Sequence, residues 1–338
     1  RTPPDLSAGR AVSRRALVAA VAVAVLIAPV AAGAQQAGRI PRIGFLTSSF
    51  SAIGASLLLT PWLERLGYVE GQNIAFEQRF AAGDDDQLPR LAAELVRSNV
   101  SLIVTTGTPA IRAAKEATGT IPIVMLASGD PVSAGLITSL ARPGGNITGV
   151  SALVPELSGK RLELLKEVVP RLTRVAVLWN PADPDTRVEW SETQAAARRL
   201  GLQLVSLEAR TPADLATAFQ AARNQRADAL VVLDDRLTSA YSPAIADLAR
   251  QSRLPAMYAR RQSVSRSGRG LMSYGTNTLD LSRRLADYVD RILKGARPAD
   301  LPVEQPQEFE LAINLATADA LGLKIPEAIR VRASVVVR

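Results

Sequence analysis

Short apolar runs alternate with amphipathic helical patterns along most of the chain, and this alternation occurs twice in succession. The runs 43–46, 102–104 and 123–126 are rich in β-branched residues, which is typical of buried parallel strands. The pattern restarts with the runs 175–179 and 230–233. Because strands that alternate with helices form parallel sheets, we predict an α/β fold with two doubly wound lobes.

The length and the order of these patterns also predict how the chain is divided. A chain of 338 residues suffices for two domains of about 150 residues each. We predict that residues 39–150 and 276–303 form lobe 1, and that residues 151–275 and 304–338 form lobe 2. The chain then crosses between the lobes more than once, and the crossing segments act as hinge strands.

The first 34 residues have the pattern of a cleavable secretory signal peptide. Arg14 and Arg15 precede the apolar run 16–28, and Pro29 ends this run before an Ala-Gly-Ala sequence. The run is shorter than the roughly 20 residues of a membrane span, which is the alternative interpretation. No cysteine follows the run, so we expect a periplasmic protein that is not lipid-anchored. Export by the general secretory route and by the twin-arginine route both stay open.

The sequence contains no histidine and no cysteine. This absence excludes thiol nucleophiles, Ser-His-Asp triads, disulfides and nearly all zinc sites. We therefore expect no catalytic residue, no metal site and no cofactor. The formal net charge of +8 comes from scattered basic residues, a pattern that favours a solvated surface, so we expect no nucleic-acid partner.

Small polar residues follow the predicted strands, at the sheet edge where open parallel sheets bind ligands. Thr108, Asp130 and Ser242 each precede a proline, which predicts that helices start there. Free N–H groups at a helix N-terminus favour a carboxylate, and Asp183, Asp234 and Asp235 could receive an ammonium group. A zwitterionic amino acid would satisfy both the N–H groups, with its carboxylate, and the acidic side chains, with its ammonium group. In the alternative interpretation, these side chains only cap helices, for which their residue types are preferred in any case.

Two further interpretations concern individual side chains. Asp234 and Asp235 could bind a divalent cation, although two adjacent carboxylates are weak evidence without further oxygen ligands. Trp179, Trp190 and Tyr274 could stack on an aromatic ligand, although most such residues belong to the core.

Several longer stretches resemble one known family. They are Gly-Asp-Pro-Val at 129–132, the run 140–149 with Arg-Pro-Gly-Gly-Asn, Gly-Leu-Met-Ser-Tyr-Gly at 270–275, the run 288–295, and the segment from 301 to 323. Together they are similar to the ABC-transporter substrate-binding proteins of the tryptophan/tyrosine-binding (TrpX-like) type. The resemblance covers residues 39–330 and implies the type I periplasmic-binding-protein fold, whose lobes close on a small ligand.

The resemblance also implies where the ligand binds and what the protein does with it. The corresponding loops hold Ser48, Ser49, Thr106, Thr108, Ser128, Asp130, Asn180, Asp183 and Asp234. We expect the solute-binding component of an ABC import system, which captures a small polar or zwitterionic ligand such as an amino acid and delivers it to an inner-membrane permease. We expect a monomer. The alternatives are a ligand-sensing protein that feeds a membrane sensor, and an envelope enzyme such as a racemase or lyase.

Overall fold

Two sheets with helices on both faces organise the protein. The computed structural model describes residues 40–48, 53–267 and 269–338. Both sheets belong to one unit, residues 41–338. The predicted signal peptide, residues 1–34, lies outside the described residues. Within the described ranges, no helix combines the length and the apolar character that a membrane crossing requires.

The first sheet, which defines lobe 1, has five strands: β1 (Arg42–Thr47), β2 (Ala75–Phe80), β3 (Leu102–Thr106), β4 (Ile123–Ala127) and β5 (Ile147–Ser151). They are parallel throughout, in the order β2-β1-β3-β4-β5. Four helices accompany it: α1 (Ile53–Arg65), α2 (Leu88–Arg97), α3 (Thr108–Ala117) and α9 (Thr278–Leu293). Helices α2 and α3 cover one face, and α1 and α9 cover the other.

The second sheet, which defines lobe 2, has seven strands: β6 (Arg174–Trp179), β7 (Gln203–Glu208), β8 (Ala229–Val232), β9 (Ala256–Tyr258), β10 (Met272–Thr276), β11 (Phe309–Asn314) and β12 (Val335–Val337). Their order is β12-β11-β10-β9-β8-β6-β7. β11 is antiparallel to β10 and parallel to β12. β11 is not an edge strand, because β12 pairs with its other side.

Seven helices cover this second sheet: α4 (Ser158–Val168), α5 (Pro184–Leu200), α6 (Asp214–Asn224), α7 (Arg236–Ala240), α8 (Ser242–Gln251), α10 (Leu315–Ala320) and α11 (Glu327–Arg332). Within β6, Val175 and Val177 pack in the core under α4 and α5, whereas Ala176 and Leu178 pack in the opposite core under α6 and α8. All four side chains are fully buried. Burial on both faces explains why these strands are uninterrupted apolar runs in the sequence.

The chain passes between the lobes after β5, after β10 and before β11. The first and third passages run side by side: the Ser151 N–H donates to the Glu304 carbonyl at 2.9 Å, and the Glu304 N–H donates to the Gly149 carbonyl at 3.0 Å. Helix α9 packs on lobe 1, although the strands before and after it belong to lobe 2. The predicted two-lobed α/β fold is confirmed, and the predicted lobe boundaries stay predictions.

Candidate ligand-binding site

Hydroxyl groups lie at the carboxyl ends of the lobe 1 strands. Thr47 at the end of β1 pairs with Thr106 at the end of β3, and their Oγ1 atoms are 3.3 Å apart. The next residue, Ser48, has a buried Oγ with no hydrogen-bond partner among the described residues. Ser49 lies outside those residues. Parallel pairing therefore brings Ser48 and Thr106 to the same sheet edge.

The loop after β3 leads into α3 with an N-terminus that no side chain caps. The sequence predicted Thr108 as the cap, but Thr108 is the first helical residue, and Gly107, with φ of 81°, is the cap. Similarly, Ser242 is the first residue of α8 and Tyr241 is its cap. The Thr108 N–H donates to Oδ2 of Asp185, a lobe 2 residue, at 3.2 Å. A carboxylate does bind at the α3 N-terminus, and the protein itself supplies it.

The loop after β4 forms a turn. Residues 131–135 are turn residues, so the predicted helix start at Asp130 is wrong. The exposed Asp130 accepts hydrogen bonds from the Val132 N–H and the Ser133 hydroxyl, and these bonds lower the pKa of Asp130. Because the aspartate satisfies these donors locally, and because Gly135 follows with φ of 70°, no helix continues. Preceding this turn, the Ser128 carbonyl accepts the N–H of residue 154, in the passage to lobe 2.

In lobe 2, Asn180 and Asp183 follow β6 and are both buried. Asp183 caps α5, because its Oδ1 accepts the N–H groups of Asp185 at 2.8 Å and Thr186 at 3.4 Å. Asn180 Oδ1 accepts the Ala182 N–H at 3.0 Å. Burial, followed by the negative charge of Asp185, raises the pKa of Asp183 to about 7. Asp183 therefore caps a helix, and burial disfavours its charged form.

Two adjacent carboxylates follow β8, and their surroundings differ. Asp234 Oδ1 lies 2.6 Å from Arg260 Nε, so a cation of the same lobe balances it. Asp235 caps α7 through a capping box with Thr238. Burial raises the pKa of Asp235, and its Oδ2 is buried with no hydrogen-bond partner in the part of the chain that the structure describes. Asp235 Oδ2 is thus able to accept a further hydrogen bond.

A buried ion pair adjoins these loops, and the sequence analysis missed it. Arg161 on α4 and Glu189 on α5 have side chains that are 1% and 2% exposed, with Nη1 2.5 Å from Oε1. Glu189 Oε2 accepts the Asp234 N–H at 3.1 Å, and Arg161 Nε donates to the Tyr274 carbonyl at 2.8 Å. Burial raises the pKa of Glu189 to about 7, although the charge of Arg161 opposes it. Arg161 therefore joins α4, α5 and β10, the strand after which the chain leaves for lobe 1.

Among the residues that the structure describes, two polar contacts join the lobes across the cleft. Arg236 Nη1, at the start of α7, lies 2.8 Å from Asp85 Oδ2 of lobe 1 and 3.9 Å from Asp183 Oδ2 of its own lobe. The second contact is the hydrogen bond from α3 to α5 described above. Beside them is an open cavity of about 400 Å³ between α2 and α3 of lobe 1 and Pro184 and Arg187 of lobe 2.

Other candidate groups have structural roles. Trp179 and Trp190 stack on each other with ring centroids 5.1 Å apart, and with Tyr274 they pack against the lobe 2 core. Trp179 is therefore a core residue, whereas Trp190 and Tyr274 are half-buried beside the core, and their role in ligand binding stays a prediction. Among the residues that the structure describes, no group of three or more acidic, histidine or cysteine side chains could hold a metal ion.

Two α/β lobes that enclose polar strand ends define a binding protein that closes around a small ligand. A model of the family described as "ABC transporter substrate binding protein" matches residues 59–337. The chain therefore belongs to this family and is the solute-binding component of an ABC transporter. The family predicted from the sequence resemblance is confirmed.

Two similar proteins show which members of this family the chain resembles. A tyrosine-binding protein from Clostridioides difficile (strain R20291) is 30% identical over 262 residues, which cover 78% of this chain and 74% of the relative. The solved structure of a conserved domain protein from Vibrio cholerae is 30% identical, with a TM-score of 0.79, and the match covers 88% of this chain and 100% of that one. The predicted likeness to tryptophan- and tyrosine-binding proteins is also confirmed.

Two solved structures differ in how well they agree with this chain. An ABC domain in complex with L-Trp from Streptococcus pneumoniae has a TM-score of 0.79, and the ligand-free, open structure of a substrate-binding protein with adhesive properties from Clostridium difficile has a TM-score of 0.63. Both are 26% identical to this chain over 88% of its length, and the matches cover 100% and 99% of those chains. The fold of this chain as a whole therefore agrees better with the L-Trp complex.

Proposed function

We propose that the protein captures a zwitterionic amino acid between its lobes and delivers it to a membrane permease. The observation that carries the proposal is the presence of two buried carboxylates in lobe 2, Asp183 and Asp235, whose pKa values are raised by burial. An aromatic side chain on the ligand is supported by the names of two relatives, which refer to tyrosine and to L-Trp.

The polar groups of the two lobes suit the two ends of such a ligand. An ammonium group beside Asp183 and Asp235 would stabilise both carboxylates in their charged form and lower their raised pKa values. The Ser48 and Thr106 hydroxyls can donate hydrogen bonds to the ligand carboxylate, and the Ser48 hydroxyl has no partner among the described residues. Closure excludes water, which strengthens each of these interactions.

Hinge closure is the proposed mechanism. A ligand that contacts both lobes stabilises the closed state by its differential affinity for the two states, and the permease then recognises that state. The paired backbone passages at Ser151 and Glu304 are the proposed hinge, because they run side by side where the chain passes between the lobes.

Calorimetric titration with L-tyrosine, L-tryptophan and L-phenylalanine tests this proposal. Two analogues of L-tryptophan each lack one charged group: tryptamine lacks the carboxylate, and indole-3-propionate lacks the ammonium group. We expect an amino acid of this panel to bind, and removal of either charged group to weaken binding about 10- to 100-fold, as for hydrogen bonds to charged groups. Asp183→Asn should weaken binding, whereas Asp319→Asn, at an exposed position on α10, should not. No binding by any amino acid would contradict the proposal.

The pH dependence is a second readout of the same site. Because the pKa of Asp183 is about 7 in the free protein, binding of an ammonium group should strengthen as the pH rises from 6 to 8 and Asp183 loses its proton. Binding that is independent of pH over this range would argue against an ammonium group beside Asp183.

We also propose that the protein acts in the periplasm after removal of residues 1–34, as a monomer and without catalytic activity. The family and the absence of histidine and cysteine support a binding role. Light scattering should give the mass of one chain, and chromatography should recover the bound ligand unchanged. A chemically altered ligand would instead favour the enzyme alternative.

A further inference from the structure

Arg236 occupies a position between carboxylates of the two lobes. It is the first residue of α7, directly after the Asp235 cap. Its Nη1 lies 2.8 Å from Asp85 Oδ2, on the short 3-10 turn that precedes α2 in lobe 1, and 3.9 Å from Asp183 Oδ2 in lobe 2. The side chains of Arg236 and Asp85 are only 15% and 27% exposed, so water screens this pair less than it screens a surface pair.

The contact between Arg236 and Asp183 lies within lobe 2 and does not depend on how the lobes are arranged. Asp183 is buried and fixed by its own hydrogen bonds at the α5 N-terminus, and it belongs to the same lobe as Arg236. The Asp85 contact, by contrast, joins groups on different lobes and requires that the lobes stand as close as they do here. Arg236 therefore contacts one partner within its own lobe and gains the second only on closure.

A second contact on the same side of the cleft also requires that the lobes stand as close as they do here. The Thr108 N–H of lobe 1 donates to Asp185 Oδ2 of lobe 2 at 3.2 Å. Both contacts adjoin the cavity between α2, α3 and α5, which Asp85, Thr108 and Pro184 help to line. Opening of the cleft would break both contacts together.

We propose that Arg236 and Asp85 form a latch that stabilises the closed state, with the Asp185–Thr108 hydrogen bond as its reinforcement. This proposal rests on the proposed function, because closure is the step that the latch favours. Binding to a protein that is only fractionally closed is weakened by that fraction. The latch therefore makes Arg236 and Asp85 positioning residues that set the ligand affinity without contact with the ligand.

The distribution of distances between the lobes gives the ratio of closed to open protein, on which the latch acts. The chain has no cysteine, so cysteines introduced as Arg97→Cys on α2 and Thr217→Cys on α6, both exposed positions, can be spin-labelled selectively. Pulsed electron resonance then gives the ratio of short to long distances in this labelled protein. The ratio is measured without ligand and again with a fixed concentration of L-tyrosine or L-tryptophan.

We expect Arg236→Gln and Asp85→Asn each to lower the ratio of closed to open protein about 5- to 30-fold. The double variant should fall no further than either single variant, because both substitutions break one interaction. Arg236→Lys should restore part of the ratio. Arg332→Gln is the matched control, because Arg332 also lies 2.8 Å from its partner, Glu167, and both residues belong to lobe 2.

Single variants that leave the ratio unchanged would overturn the latch, as would a double variant with the product of the two single effects. A parent protein with only the long distance under every condition would overturn it as well. Circular dichroism melting curves confirm that each variant is folded. Failure of L-tyrosine and L-tryptophan to bind would count against the proposed ligand, while the ratio without ligand still decides the latch.

Discussion

The two faces of the cleft differ in how their polar groups are balanced. Lobe 1 presents neutral hydroxyl groups at its strand ends, such as those of Ser48 and Thr106. Lobe 2 presents buried acids, of which Asp183 and Glu189 have pKa values raised to about 7. Hydroxyl groups can donate or accept and so adapt to a ligand, whereas buried charges require a counter-charge. Recognition of ligand charge is therefore concentrated in lobe 2.

The largest effect is expected when the buried charge of lobe 2 loses its partner. Arg161→Met leaves Glu189 buried without a cation, so we expect a loss of about 3–5 kcal/mol in the free energy of unfolding. Urea denaturation at pH 8 measures it. The double variant Arg161→Met/Glu189→Leu should recover much of the loss, since no charge then remains buried. A single-variant loss below about 1 kcal/mol would mean that the pair behaves like an exposed one.

An intermediate effect is expected from the pH dependence of Asp183→Asn. In the folded protein the raised pKa keeps Asp183 protonated at pH values where the unfolded chain has lost that proton, so its contribution to stability falls as the pH rises from about 4 to 7. Asparagine retains the helix cap but does not titrate. Relative to the parent, the variant should therefore gain about 1–3 kcal/mol in unfolding free energy between pH 4 and pH 8.

Asp130→Asn in lobe 1 is the matched control for that experiment. Its pKa is lowered by hydrogen bonding from Ser133, so Asp130 stabilises the folded protein above its unfolded pKa and loses this contribution as the pH falls. The pH dependence of this variant should have the opposite sign. A pH dependence of stability with the same sign in both variants would contradict the proposed difference between the cleft faces of the two lobes.

The smallest effect is expected at the lobe 1 hydroxyls. Thr106→Val removes one hydroxyl from the Thr47 pair and preserves shape, so we expect a change of at most about 1 kcal/mol in unfolding free energy. Ligand affinity should fall less than in Asp183→Asn. Chemical denaturation and calorimetry on both variants measure these changes. A larger loss of affinity in Thr106→Val than in Asp183→Asn would contradict the assignment of charge recognition to lobe 2.

Most strands could be predicted from the sequence because burial on both faces makes them continuous apolar runs. β5 escaped this signal, since its sequence, Ile-Thr-Gly-Val-Ser, mixes hydroxyls and a glycine, although all five residues are buried. Gly149, with φ of 140°, lets the Met125 carbonyl of β4 approach to where a Cβ would lie only 2.1 Å away. Thus a close backbone contact, and not hydrophobicity, determines that residue.

For the candidate site, the sequence indicates the loops but not the contacts among them. The loops follow from the rule that parallel strands end at one edge. Arg161 carried a signal that was overlooked: it is four residues from Leu157 and from Leu165, on the buried stripe of α4. The pair between Asp85 and Arg236 carries no such signal, because its members lie 151 residues apart and no periodicity relates them.

The return of α9 to lobe 1 constrains the order in which the protein can be assembled. Neither core is built from a continuous piece of chain: lobe 1 requires α9, and lobe 2 requires β11 and β12. As the chain is synthesised, both cores therefore remain incomplete until its last quarter has been made. Each lobe must close long loops before its sheet is covered, which slows folding. A fragment that ends after β10 would contain most strands of both sheets and complete neither lobe.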